Sequence, residues 1–507
     1  MRADSSVAIG SGHVARCLAL AGALRQLGAE VSFACRDLPG HRLAQIAAHG
    51  YGVFALPGAE SVTSEADTDI EALLPWQADI AALATVLPAN IQFDWIVVDH
   101  YGLDRHWELA ARRWAAQVAA IDDLANRPHA VALLLDQNYN ASPERYAPWL
   151  QGQCRSLLGP RYALLRQEFQ AGPQPVGEVA QRVLVNFGGM DTSGQTLKAA
   201  RALLPFAWLQ VTLVAGQGNP YWAELMELAA GRPQWRLLAH SNEFAQLMAQ
   251  ADLFVGAGGG TSWERAALGL PTLCMAVANN QHANAQALAA AGIHGYLGPC
   301  EQVSVAELSA AIVALLNDVA MRQQYAERSR QLVDGRGAQR VAVALAGPLL
   351  QLTVATLADA RTLFDGRNAE QVRRWSGHSE PLEWRAHLAW LSDTLADPRR
   401  CLLLAQVADG PVGVLRYDRE DERAQVSIYL LEGRFGLGWG VVLLACGEHH
   451  IMQRWPEVKW LDARVLLDNQ ASINLFQAAG YLPHAEGFAR ALEPAGMPVG
   501  RTFKEQP

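Results

Sequence analysis

Short apolar runs alternate with stretches of helical period along the first two-thirds of the chain, and this alternation narrows the fold more than any other feature. Val31-Ser32-Phe33-Ala34-Cys35, Trp95–Asp99, Gln117–Asp122 and Ala132–Leu135 are too short for helices and read as strands buried on both faces. Ahead of the first run, Val14, Cys17, Leu18, Leu20, Ala21, Leu24 and Leu27 fall on one helical stripe that Gly28 stops. Strand, helix, strand in repetition predicts βαβ units around a parallel sheet. After the Pro/Gly-rich segment 170–180 a second series begins, with strands at Arg182–Phe187, Leu209–Ala215, Trp235–Ala239, Leu253–Val255 and Thr272–Met275. Near Leu352 the pattern changes in kind: Cys401–Asp418 and Ala424–Glu432 read as antiparallel strands turning at Asp409-Gly410-Pro411, with helices around them. The expected class is α/β, two Rossmann-like domains over 1–170 and 171–345, followed by an α+β domain over 350–507.

Composition agrees and removes several functions. A chain of 507 residues, 50% hydrophobic and 18% charged, fits roughly three globular domains of about 150 residues each. Its net charge of −9, with no long basic run, argues against nucleic acid or an anionic membrane surface as partner. No apolar run approaches the roughly 18 residues of a membrane span. The seven cysteines are scattered and never spaced Cys-x-x-Cys, as in a reduced, cytoplasmic protein without a zinc knuckle. Oligomeric state is left open.

Three glycine turns carry the chemistry of the first two domains. Gly10-Ser11-Gly12-His13 opens a helix, where backbone N–H groups and the helix dipole favour an anion; equally, Gly12 could serve only the turn and His13 only the helix start. Gly256 to Gly260 lies between a strand and a helix beginning about Ser262, so that Gly259, Gly260 and Thr261 could cradle a diphosphate. Glu264, one turn on, could accept both hydroxyls of a ribose, or be a first-turn carboxylate and nothing more. Gly188 and Gly189 follow the first strand of the second domain and would let another backbone approach a ligand across the cleft.

The stretches "RADSSVAIGSGHVARCLALA", "VVDHYGLD", "IDDLANR", "LLLDQN", "NFGGMDTSGQT" and "GGGTSWERAALGLPTL…NNQ", in that order, resemble the UDP-sugar hydrolases of pseudaminic acid biosynthesis, which are GT-B-like. The resemblance implies metal-independent hydrolysis of UDP-2,4-diacetamido-2,4,6-trideoxy-β-L-altropyranose, with His13 as general base. It also places Asp99 and Tyr101 at the end of a strand, with Asp99 either touching substrate or capping the next helix, and sets Asn280 and Gln281 toward the sugar or diphosphate. The family usually carries a short apolar strand before the Arg-x-Asp; here Met1 directly precedes Arg2, so the first strand is expected to be missing and the natural chain to be a few residues longer.

In the third domain, backbone amides from Phe435 to Gly440, including Gly436 and Gly438, could hold a pyrophosphate at a helix start. Together with "LDARVLLDNQASINLFQAAGY" this resembles the acetyl-CoA-binding core of GCN5-related N-acetyltransferases. The resemblance implies acetyl-CoA as co-substrate, Arg434, Asn469 and Asn474 as CoA contacts, and a 4-amino UDP-sugar as acceptor. Phe476 stands where that family commonly has a proton-donating tyrosine, and Gly433 where it has Arg or Gln. The same glycine loops would also suit a GT-B glycosyltransferase, or a UDP-sugar-binding protein with a degenerate acetyltransferase module.

Overall fold

The computed structural model describes residues 1–7, 9–58, 75–170, 175–239, 241, 243–376, 379–484 and 487–492. Ala8 of the first glycine phrase and residues 171–174 of the expected linker lie outside them. The chain divides into two compact units, residues 1–23 with 31–341, and 24–30 with 342–507. Both expected Rossmann-like halves fall in the first of these units.

The first sheet consists of β1 (Arg2–Ala3), β2 (Ser32–Arg36), β3 (Gly52–Leu56), β4 (Phe93–Asp99), β5 (Ala115–Ile121), β6 (Leu133–Asp136) and β7 (Arg155–Leu158), in the order β3-β2-β1-β4-β5-β6-β7. All its pairings are parallel. Strand order reverses between β1 and β4, and open α/β sheets bind ligands beyond the carboxyl ends of strands at such a switch point. The expected absence of a first strand is corrected: Arg2 and Ala3 occupy the central place, and the Met1 amino group donates to the Ser32 carbonyl at 2.8 Å. Arg2 is held there by charge as well as by strand pairing. Its guanidinium donates to Asp4 and to Asp79 at 2.6 Å each, Asp79 also accepts from Arg36 at 2.7 Å and from the Trp107 indole at 2.8 Å, and all five side chains are buried. Removing one member of such a network strands a buried charge, a cost of about 3–5 kcal/mol.

The second sheet, β8 (Arg182–Asn186), β9 (Gln210–Val214), β10 (Trp235–Leu238), β11 (Leu253–Ala257), β12 (Thr272–Ala276) and β13 (Gly295–Pro299), is also parallel, in the order β10-β9-β8-β11-β12-β13. Its switch point lies between β8 and β11, the two strands that the glycine turns follow. One face packs Val183, Val185, Leu213, Val255 and Leu273 against Leu308 and Ile312; the other packs Leu184, Phe254 and Trp263. Glycine is required at Gly256, where a Cβ would stand 2.2 Å from the Asn186 carbonyl oxygen.

In the second unit, β14 (Gln351–Val354), β15 (Arg400–Val407), β16 (Gly410–Glu420), β17 (Arg423–Leu430), β18 (Trp460–Arg464), β19 (Leu482–His484) and β20 (Gly487–Ala491) form a mixed sheet, in the order β14-β15-β16-β17-β18-β20-β19. β17 and β18 pair in parallel only over Arg423–Gln425 and Trp460–Asp462, and beyond that point the two strands part.

One buried pair in the first unit makes stability depend on pH. The Tyr146 hydroxyl lies 3.0 Å from both Asp122 and Asp136, yet has one proton to give. Asp122 is held ionised by His129, Arg127 and the Ala125 N–H, whereas burial and the charges of Asp123 and Asp122 push Asp136 up to about 7. The folded state thus binds the Asp136 proton more tightly than the unfolded chain does. Its stability is full below the unfolded value near 4 and falls as pH rises through about 7. Asp136→Asn is expected to remove this slope and raise Tm at pH 8 by about 3 °C or more relative to wild type in differential scanning fluorimetry; equal Tm curves would count against the assignment.

Candidate functional site

At the first switch point, His13 begins the helix Gly12–Gln26 and faces the carboxyl end of β4. Gly10 takes φ +82, and among the described residues nothing beyond the chain neighbours lies within 4 Å of where a Cβ would stand at Gly10 or Gly12. His13 Nδ1 is 2.6 Å from Asp99 Oδ1, and the ring meets Tyr101 edge-on at 4.8 Å between centroids. With Nδ1 donating to a carboxylate, Nε2 is the nitrogen that carries the lone pair.

Asp99 itself faces its own chain and not open space. It is fully buried, and Arg16 donates to both its oxygens, Nε to Oδ2 and Nη2 to Oδ1, at 2.6 Å each. Arg16 and His13 hold its carboxyl far below the usual range against the opposing effect of burial. Nor does it cap the next helix: Asp104 caps Arg105–Ala111 by accepting from His106 N. Sequence reasoning missed Arg16, whose Nη1 also donates to Asp123 at 3.0 Å. The signal was available, since residues 13 and 16 share one helical face. The Tyr101 hydroxyl is kept protonated by burial and by Asp123.

At the second switch point, the helix Thr261–Leu268 starts directly after Gly258, Gly259 and Gly260. Among the described residues the N–H groups of Gly259, Gly260 and Thr261 have no partner, and nothing stands within 4 Å of a Cβ at Gly188, Gly189 or Gly260. Three adjacent donors at a helix start suit a diphosphate. Arg265 braces this loop from beneath, donating to Ala257 O and Ser262 Oγ at 2.8 Å each while lying over the Phe254 ring. Glu264 makes no hydrogen bond among the described residues, and burial pushes its carboxyl up to about 7, opposed by Arg166 and Arg265. Gln281 is partly engaged by its own chain. Its side-chain oxygen accepts from Gly258 N and Val277 N at 3.2 Å each, so that oxygen positions the loop. Asn280 is exposed on the first turn of the helix Asn279–Ala290. Further along that helix Asn284, also missed, accepts from Tyr139 N at 2.9 Å and ties the two Rossmann-like halves together.

In the second unit, Gly436 (φ +71) and Gly438 (φ +94) turn the chain into the helix Trp439–Arg454, with open space at Gly433 and Gly436. Beside them the parting of β17 from β18 leaves a strand edge for an extended ligand. Phe435 lies half-buried in the turn. The strand edge and the glycine turn are where the expected pantetheine and pyrophosphate of acetyl-CoA would be held. Three of the expected side chains have partners within the chain, and Gly440 packs closely against a neighbour. Arg434 is held by Asp409 at 2.8 and 3.0 Å and braces the β15–β16 turn. Gly440 is a packing glycine, since a Cβ there would meet Leu475 at 2.7 Å. Asn469 caps the helix Gln470–Ala478 through Ser472 N. The Asn474 side-chain oxygen accepts from Gln470 Nε2 at 2.7 Å. Phe476 is buried against Tyr481 and Phe488, so it belongs to the core.

Glycine turns thus stand at two Rossmann-type switch points, with a histidine on one and a carboxylate on the other, and a further glycine turn stands beside an open strand edge in the second unit. Residues 191–342 match the glycosyltransferase family 28 C-terminal domain. The chain is 28% identical over 202 residues to the spore coat polysaccharide biosynthesis protein SpsG of Bacillus subtilis, covering 39% of this chain and 60% of that protein's own length. It is 26% identical over 255 residues to the UDP-2,4-diacetamido-2,4,6-trideoxy-beta-L-altropyranose hydrolase of Campylobacter jejuni, covering 50% of this chain and 82% of that one. Among solved structures, Acinetobacter baumannii MurG aligns with 68% of this chain and 98% of its own, at 16% identity and TM-score 0.47. Spermidine N-acetyltransferase from Vibrio cholerae, in complex with CoA and spermine, aligns with 29% of this chain and 96% of its own, at 12% identity and TM-score 0.27. Among the described residues no helix is long and apolar enough to cross a membrane, and no three His, Cys, Asp or Glu side chains are grouped to hold a metal ion.

Proposed function

We propose that the first unit hydrolyses UDP-2,4-diacetamido-2,4,6-trideoxy-β-L-altropyranose to UDP and the free sugar. The second unit, in this reading, transfers acetyl from acetyl-CoA to the 4-amine of the precursor UDP-sugar. The observation that carries the hydrolase reading is the His13–Asp99 pair at the first switch point. Water attacks the anomeric carbon while His13 Nε2 takes its proton; the C1–O bond breaks with its electron pair passing to the diphosphate. The growing charge is met by the N–H groups of Gly259, Gly260 and Thr261 and by the helix start. The likeness to the Campylobacter jejuni hydrolase supports this substrate class. Acetyl-CoA, when bound, supplies an activated thioester, and the open edge of β17 and the 433–438 turn orient it.

Incubating the whole protein with the 4-amino UDP-sugar, with and without acetyl-CoA, tests both halves. CoA release is expected only when sugar and acetyl-CoA are both present, with UDP appearing after it. UDP without CoA release would leave the second unit a binding module. The match of residues 191–342 to a glycosyltransferase domain favours a second reading, transfer to another acceptor. UDP release in water alone separates hydrolysis from transfer.

A further inference from the structure

The pairing of His13 with Asp99 raises a difficulty of charge. A fully ionised carboxylate 2.6 Å from Nδ1 favours the doubly protonated ring, and an imidazolium has no lone pair with which to accept a proton. Arg16 answers it by position. Its guanidinium covers both oxygens of Asp99, and Nη2 lies 3.3 Å from His13 Nδ1. We propose that Arg16 is a positioning residue that keeps His13 neutral, with its proton on Nδ1 and its lone pair on Nε2. The water-activating consequence rests on the hydrolase reading; the charge state does not.

The other groups around the ring are consistent with this balance. From its own helix, Cys17 Sγ lies 3.6 Å from Asp99 Oδ2, and burial keeps it a thiol. From the segment after β4, Tyr101 is held protonated, and Arg127 lies 6.0 Å above its ring. From the end of β5, Asp123 fixes the far side of Arg16 at 3.0 Å. The helix start beneath His13 adds partial positive charge and works in the same sense as Arg16. Arg16 offsets the charge of Asp99 at the ring, with Asp123 on the far side of the guanidinium, so the ring keeps the orienting hydrogen bond while the pull of the carboxylate charge is reduced.

The test is a histidine-selective NMR titration, with the His13 Cε1–H resonance assigned by its loss in His13→Asn. In wild type the midpoint is expected at or below about 6.5. In Arg16→Met it should move up by about 1 pH unit or more. In Arg16→Lys, which keeps the charge, it should stay near wild type. The acid limb of the UDP-release profile should move with the midpoint, costing about fivefold in rate at pH 6.5 in Arg16→Met. A wild-type midpoint above pH 8, or one in Arg16→Met that is unmoved or lower, overturns the proposal. An equal upward shift in Arg16→Lys would overturn the role of charge. Should Arg16→Met not fold, the wild-type and Arg16→Lys midpoints still decide. A protein that releases no UDP at any pH refutes the hydrolase reading alone, because the midpoints are read without turnover.

Discussion

His13→Asn is expected to slow UDP release about 10²- to 10⁴-fold, the usual worth of a positioned general base, while UDP binding changes little. The separation follows from where the two functions sit. His13 stands at the switch point between β1 and β4, whereas the donors for a diphosphate stand at the switch point between β8 and β11. The loss should therefore fall on kcat. Asp99→Asn is expected to act in the same direction: an amide can present its oxygen to Nδ1–H, but it carries no charge to stabilise the ring as the proton arrives. Steady-state UDP release and calorimetric UDP titration of the same preparations check both statements. A His13→Asn protein that turns over at the wild-type rate would move the base elsewhere.

How much of the fold and the site is legible in the sequence depends on the kind of residue. Strands buried on both faces announce themselves, so the apolar runs place Leu253–Ala257 and Thr272–Ala276 to within two residues. Arg155–Leu158 and Gly295–Pro299 give no such signal, because each is an outer strand whose run is short or interrupted by polar residues, glycine or proline, whereas Gly52–Leu56 is an apolar run that the sequence reading passed over. Glycine turns are legible because consecutive glycines just ahead of a helix leave its first N–H groups open to a ligand. Polar residues with two plausible partners are not. Asp99, Gln281, Arg434 and Asn469 all sit beside the expected ligand positions, yet each spends polar side-chain atoms on its own chain. Spacing says that a side chain is near a site; only the three-dimensional arrangement says which atom it faces. Arg2 shows the converse. In the sequence it is only the first residue of an Arg-x-Asp phrase, and its partner Asp79 lies far along the chain, beyond any local reading.

The second large effect is expected at Glu264. Its carboxyl is desolvated at the helix start, makes no hydrogen bond among the described residues, and is pushed up to about 7 by burial. Such a group is costly in the unliganded protein and gains most from two hydroxyl donors, because hydrogen bonds to a charged group contribute about 1.5–3 kcal/mol. The reading that it accepts the ribose hydroxyls predicts that Glu264→Gln weakens UDP binding about 10- to 100-fold. The sign of the pH effect follows from the same shift. Below about 7 the free protein holds Glu264 protonated, and a diol donating to the carboxylate favours the ionised form, so affinity should rise as pH increases from 6 to 8. UDP's own phosphate ionisation also contributes in that range, and comparing the two proteins removes it: the wild-type slope should exceed that of Glu264→Gln. The 2′-deoxy analogue of UDP supplies the structural control, since it removes one of the two donors. Wild type should lose affinity for it while Glu264→Gln is nearly indifferent. If instead both proteins bind UDP equally at pH 8, Glu264 is a first-turn carboxylate favoured by the helix dipole, and the ribose lies elsewhere.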